Sequence, residues 1–141
     1  MLCYLQTGHI TFAPLRSNYR HLPNSITLRR EAIKQLHSDP THPFPASPKS
    51  IYRLADKILL PSLASLALEN LKSQLTAENI AWEVHGDVAV DHEVVAEMEL
   101  DFAVENWKVA GKSRAMKAVR KAVKGMRGRE EMSMVLSERL A

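Results

Sequence analysis

Histidines and carboxylates are the side chains here whose types could carry chemistry, and their spacing argues against it. The chain holds 6 His and 16 Asp plus Glu. His37 and His42 lie near Asp39 in a proline-rich stretch, and His85, Asp87, Asp91, His92 and Glu93 form a second group. A zinc site needs three or four ligands at spacings fixed by a turn or a helix face. Neither group supplies them, and His92 and Glu93, being adjacent, would point apart on a helix. Both groups are expected to be solvated, with no metal. The single cysteine, Cys3, excludes an internal disulfide and a thiolate-only zinc site, and is expected to be a small buried hydrophobe in a reducing compartment. The carboxylate spacing alone defines no acid–base pair. No nucleophile elbow, phosphate loop or dinucleotide glycine pattern occurs. The expectation is a protein that is not an enzyme and has no cofactor.

Charge is the other resource. The net charge of +3 hides an asymmetry. Residues 76–106 contain nine acids and no Lys or Arg, whereas residues 107–141 contain ten bases and three acids. One reading is that neighbouring elements pack with complementary faces, each exposed pair contributing at most about 1 kcal/mol. The other is that the basic block, with Lys112, Arg114, Lys117, Arg120, Lys121, Lys124 and Arg127, meets nucleic acid through salt-sensitive contacts. No aromatic residue is interleaved after Trp107, so base stacking has no platform.

These groups must be positioned by a chain of 141 residues, one domain's worth, with 45% hydrophobic and 25% charged residues. That composition is near the globular average and does not suggest wholesale disorder. No apolar run approaches the ~20 residues of a membrane helix, and the first ten residues lack signal-peptide features. The expectation is a soluble intracellular protein, nuclear and cytoplasmic not being separable.

Residues 1–12 read as the end of a helix, a glycine stop at Gly8, then an extended piece at Ile10-Thr11-Phe12. Six of the seven prolines fall within residues 13–48, predicting a long mobile loop, with a short helix over Leu28–Leu36 that has Ile33 and Leu36 on one side. Ser47 and Pro48 suit the N-cap and first position of a helix. Ile51, Leu54, Ala55 and Ile58 then share a face, Pro61 opens a second helix, and Leu63, Leu66, Ala67 and Leu71 repeat the spacing. The two helices predict an antiparallel pair. Thr76 can cap a third helix burying Ile80 and Val84, with Trp82 nearby, which Gly86-Asp87 would end. Periodicity leaves strands open for Trp82–Val90, as a hairpin, and for Met98–Val104, while residues 91–107 favour a helix. Ser113 can cap a helix with an apolar stripe of Ala115, Met116, Val119, Ala122, Val123 and Met126. Gly125 and Gly128 weaken its end, and Met132, Val135 and Leu136 suit another turn or two.

Several of these segments resemble a known family. Leu2-Cys3-Tyr4-Leu5-Gln6-Thr7-Gly8-His9-Ile10 resembles a signature segment of BTB/POZ domains. Ile51-Tyr52-Arg53-Leu54-Ala55-Asp56-Lys57, with Leu63, Leu66 and Ala67, is similar to that family's closing helix pair. Ser73-Gln74-Leu75-Thr76-Ala77-Glu78-Asn79-Ile80 is similar to the start of its helical BACK or three-box extension. The insertion after Phe12-Ala13-Pro14-Leu15-Arg16-Ser17 resembles that of BTB-like proteins of filamentous fungi. The resemblance covers residues 1–17 and about 48–107, and implies that the segment after 76 is helical. Gln6 and Ile58 depart from the aromatic residues common in the family. Met1 would fall inside the family's third helix, so the sheet, the dimer face and the cullin-gripping motif are expected upstream, and the resemblance is to a truncated or degenerate relative.

The fold expected is mainly α: a small antiparallel helix bundle with a short N-terminal extended segment and a long Pro-rich loop. Residues 1–17 would be the tail of the BTB core, 18–47 a flexible insertion, 48–75 the closing helix pair, 76–107 a BACK-like extension and 108–141 a basic C-terminal helix. The resemblance implies a non-enzymatic protein-interaction module, an adaptor joining substrates to a cullin-type ubiquitin ligase, with a cullin scaffold or a BTB partner as the protein bound. Leu75, Ile80 and Val84 are the interface candidates, with core packing as their alternative role. The alternative functions are a nucleic-acid-binding module using Lys117, Arg120, Lys121 and Lys124, and a non-functional truncated fragment whose apolar faces over residues 51–71 stay uncovered.

Overall fold

Gly8 stops the first helix, as its lack of a Cβ permits. Helix α1 (Leu2–Thr7) ends where Gly8 takes a φ of +70°, its amide donating to the Tyr4 carbonyl over 2.7 Å. The chain then runs extended, and Phe12 and Ala46 form a parallel bridge. The structure, a computed structural model, describes residues 2–141, with side chains from Tyr4 onward; the expectation for Cys3 lies outside the described side chains. Among the described residues all the longer regular elements are helical, so the protein is mainly α and the strand alternatives for Trp82–Val90 and Met98–Val104 do not hold. The chain divides into two compact units, residues 1–74 and 75–141, rather than the one domain its length suggests.

In the first unit, a 3-10 turn (Arg16–Asn18) leads to α2 (Ser25–Leu36). This helix is longer than expected because its twelve residues contain no proline; Pro14 and Pro23 precede it, and Pro40, Pro43, Pro45 and Pro48 follow. Ile33 is buried, but Leu36, in the last turn, is exposed. Residues 18–47 are therefore not one irregular insertion. Helix α3 (Pro48–Lys57) starts with Ser47 at its N-cap and Pro48 in its first turn, as expected, although the Ser47 side chain makes no capping bond. It is followed by α4 (Pro61–Ser73), and the three-residue connection turns the chain back so that the two pack together. The buried face is Ile51, Tyr52 and Ala55 against Leu63, Ala67 and Leu71. Leu54, Ile58 and Leu66, expected on that face, are exposed, whereas Tyr52, not expected there, is buried.

The second unit holds a contiguous apolar core. Its elements are α5 (Ile80–Val84), α6 (Asp87–Asp91), α7 (Glu93–Glu105), α8 (Trp107–Ala110), α9 (Arg114–Ala122) and α10 (Arg129–Leu140). Thr76 caps the entry to α5 as its sequence predicts: the Asn79 amide donates to Thr76 Oγ1 over 3.0 Å, and the Thr76 amide donates back to Asn79 Oδ1 over 2.8 Å. Ser113 caps α9, its Oγ accepting from the Met116 amide over 3.0 Å. Residues 108–141 are not one basic helix. Gly125 and Gly128 adopt φ of +79° and +78°, which ends α9 and starts a separate twelve-residue α10. On the stripe of α9, Met116, Val119 and Val123 are buried, whereas Ala122 and Met126 are exposed.

Candidate functional site

The turn between α3 and α4 is built by an unusual residue. Helix α3 must stop before Pro61, because a proline tolerates only the first turn of a helix. Only Ile58, Leu59 and Leu60 are left to reverse the chain. The Leu60 amide donates to the Ala55 carbonyl over 2.9 Å, and the Leu59 amide to the Asp56 carbonyl over 3.2 Å. This is a Schellman ending, in which the residue after the C-cap is left-handed and usually glycine. Here it is Leu59, with φ +55°. A leucine in that region costs roughly 1–2 kcal/mol. Its side chain does not offset the cost by packing, since Leu59 is 86% exposed. Leu54 and Ile58 on one side and Leu66 on the other add further exposed apolar surface near the hinge. The result is four solvent-exposed aliphatic residues on and flanking the turn, with a strained leucine at its centre.

At the other end of α4 the first unit is held by a side chain that sequence patterning does not reveal. Gln74, at the C-cap of α4, acts as a substitute peptide group. Its Oε1 accepts from the Leu15 amide over 2.7 Å, and its Nε2 donates to the Ala13 carbonyl over 3.1 Å and to Asn70 Oδ1 over 2.7 Å. Arg29 Nε donates to the Pro14 carbonyl over 2.9 Å and ties α2 to the same extended segment. Partial burial lowers the Arg29 pKa from its ordinary value, and the nearby Arg16 charge adds to the effect.

The interface candidates Leu75, Ile80 and Val84 are 7%, 0% and 0% exposed, all in the core of the second unit. They serve as packing residues and are not available to a partner in this conformation. The sequence pattern found their apolar character, but apolar periodicity does not distinguish a core face from a docking face.

The histidines are not brought together as ligands. Among the described residues no group of three His, Cys, Asp or Glu side chains could hold a metal ion. His85, expected in a solvated loop, is 1% exposed. The Ala81 carbonyl can only accept, so His85 Nδ1 carries the hydrogen and donates to it over 2.8 Å. Nε2 then accepts from the Ser133 hydroxyl over 2.6 Å, which joins α5 to α10. Burial holds the His85 pKa below the ordinary histidine value, the Ala81 bond opposes this in part, and the Arg120 charge adds a further downward push. Asp87 is instead paired with Arg129.

The acidic and basic blocks do meet, but through α10. Arg129 pairs with Asp87 on α6, and Arg139 reaches Glu97 at 2.5 Å and Asp101 at 2.9 Å on α7. The bases of α9 are placed differently. Met116, Val119 and Val123 face the core, so Arg114, Lys117 and Lys121 stand on the opposite, exposed face. The Arg120 guanidinium flanks them, 5.3 Å from the centroid of the Trp107 ring. Lys124 follows just past the helix end and is also exposed. The Trp107 ring lies so close to Gly111 that a Cβ there would sit 2.6 Å from it.

No protein-family model matches this chain, and no curated protein or solved structure matches it.

Proposed function

We propose that this chain is a non-enzymatic protein-interaction module, the C-terminal part of a BTB/POZ-like domain with a BACK-like helical extension, and that it acts as a substrate adaptor for a cullin-type ubiquitin ligase. The observation that carries the reading is Leu59. An almost fully exposed leucine in a left-handed turn contributes nothing to the fold that a glycine would not, so its role is outside the fold. Leu54, Ile58 and Leu66, exposed on the flanking helices, add apolar surface that a partner could cover. The order of elements supports the family reading: a helix stopped by Gly8, an extended segment, a proline-hinged helix pair, then a helical extension beginning at a Thr76 cap. The docking residues differ from those the sequence favoured, since Leu75, Ile80 and Val84 are used up in packing.

The partner proposed for the hinge residues is the helical N-terminal domain of a cullin scaffold, which would receive these aliphatics between its helices in a contact distinct from the family's cullin-gripping motif. Isothermal titration of the chain with that purified domain tests this. Saturable binding that Leu59→Ser weakens at least tenfold supports the proposal, because withdrawing one leucine from an apolar contact costs about 1.5–3 kcal/mol. Absence of binding at high micromolar concentration refutes the adaptor role. Binding that Leu59→Ser leaves unchanged refutes the hinge as the docking site.

A further inference from the structure

The basic face of α9 is used neither by the fold nor by the proposed adaptor surface. Its apolar side is committed to the core. Its solvent side presents Arg114, Lys117 and Lys121, with Arg120 and Lys124 at the margins. Lys117, Lys121 and Lys124 take part in no ion pair among the described residues, although the same unit holds twelve acids. The carboxylates Asp87, Glu97 and Asp101 are engaged by the α10 arginines instead. Charge has thus been separated on the surface of a unit that is not cationic overall. With a Debye length of about 8 Å at physiological salt, a ligand docked on α9 responds chiefly to this local face.

We propose that the solvent face of α9 binds the phosphate backbone of double-stranded nucleic acid. The composition of the face selects this partner. The small side chains Ala118 and Ala122 lie exposed between the cations and allow close approach, but α9 itself exposes no large apolar residue. A folded protein partner would find no hot-spot anchor there. An anionic membrane would need the apolar side of the helix, which is buried. A single strand would need free aromatic faces, and Trp107 is already covered by Arg120. A duplex needs only cations at close spacing. It carries a charge every ~1.7 Å along its axis, so the roughly 13 Å length of this nine-residue helix spans several phosphates. The binding is backbone-directed and independent of sequence.

Fluorescence anisotropy with a labelled 20-base-pair duplex of mixed sequence, at 50–200 mM KCl, is the test. Three to four phosphate contacts give a log–log salt slope of about −2.7 to −3.6, a loss of affinity of roughly 40- to 150-fold over that range. Lys117→Gln/Lys121→Gln changes only exposed residues, and circular dichroism would verify its helicity. It should weaken binding at every salt concentration and lower the slope by about 2. Lys34→Gln, an exposed change on α2, should leave both unchanged. The proposal is overturned by no binding at 50 mM, by salt-independent binding, or by a double variant that binds like the parent. It is also overturned if phosphatidylserine vesicles or a glutamate 20-mer retain the chain while the duplex does not.

Discussion

Replacing Leu59 by glycine separates what the hinge does for the fold from what it does for a partner. The left-handed backbone costs a leucine roughly 1–2 kcal/mol. Glycine removes that strain, but its freer unfolded chain gives back about 0.5–1 kcal/mol. Little packing is lost, because the side chain is 86% exposed. The net expectation for Leu59→Gly is a stabilisation of about 0.5 kcal/mol, whereas Leu59→Ala, which keeps the Cβ and the strain, should be nearly neutral. Both tryptophans lie in the second unit, so the readout must be local: hydrogen exchange of the α3 and α4 amides should slow about twofold in the glycine variant, the factor equivalent to that energy. The same variant should lose affinity for the cullin N-terminal domain by at least tenfold. Stability and binding thus move in opposite directions. If Leu59→Gly instead speeds exchange in α3 and α4 while Leu59→Ala does not, the left-handed hinge is not where the strain lies, and the argument for an external role fails.

Three further outcomes follow from the packing. Gln74→Ala removes the acceptor for the Leu15 amide and the donor to the Ala13 carbonyl, and should cost about 2–3 kcal/mol, read as an early urea midpoint and fast exchange at Leu15. His85 is held neutral by burial, so the unfolded chain binds its proton more readily than the folded one; its contribution to stability is complete above about pH 6.5 and is lost as pH falls below that, by up to ~1.4 kcal/mol per pH unit. Urea titrations at pH 5 and 7.5 should show that loss in the parent and a smaller one in His85→Gln. Gly111→Ala places a Cβ against the Trp107 ring, and should cost about 1–3 kcal/mol and shift the tryptophan emission as the ring moves off Arg120.

Much of this architecture is legible in the sequence where a local signal is strong. Gly8, the Ser47-Pro48 start, Pro61, Ser113 and Gly128 each mark a boundary that the structure places at or next to them, and Thr76 and Gly125 lie within four residues of one. Burial within the helices is read less well. Tyr52 is buried and Leu54 exposed because apolar spacing defines an arc broader than the strip that packs. Prolines clustered in residues 13–48 conceal α2, since they flank it rather than interrupt it. His85 and Gln74 are missed for another reason: polar side chains become structural only through distant partners, Ser133 and the segment Ala13–Leu15, which local patterning does not show. Leu59 was within reach, because a helix and a proline-started helix separated by three residues require a sharp reversal between them.

Methyl-labelled NMR titration of the chain with a purified cullin N-terminal domain tests the central claim most directly. The account predicts that the Leu54, Ile58, Leu59 and Leu66 methyl signals shift or broaden together, while those of Leu75, Ile80 and Val84, sealed in the core, stay in place. Unchanged hinge signals at saturating cullin, or changes confined to the second unit, would contradict it.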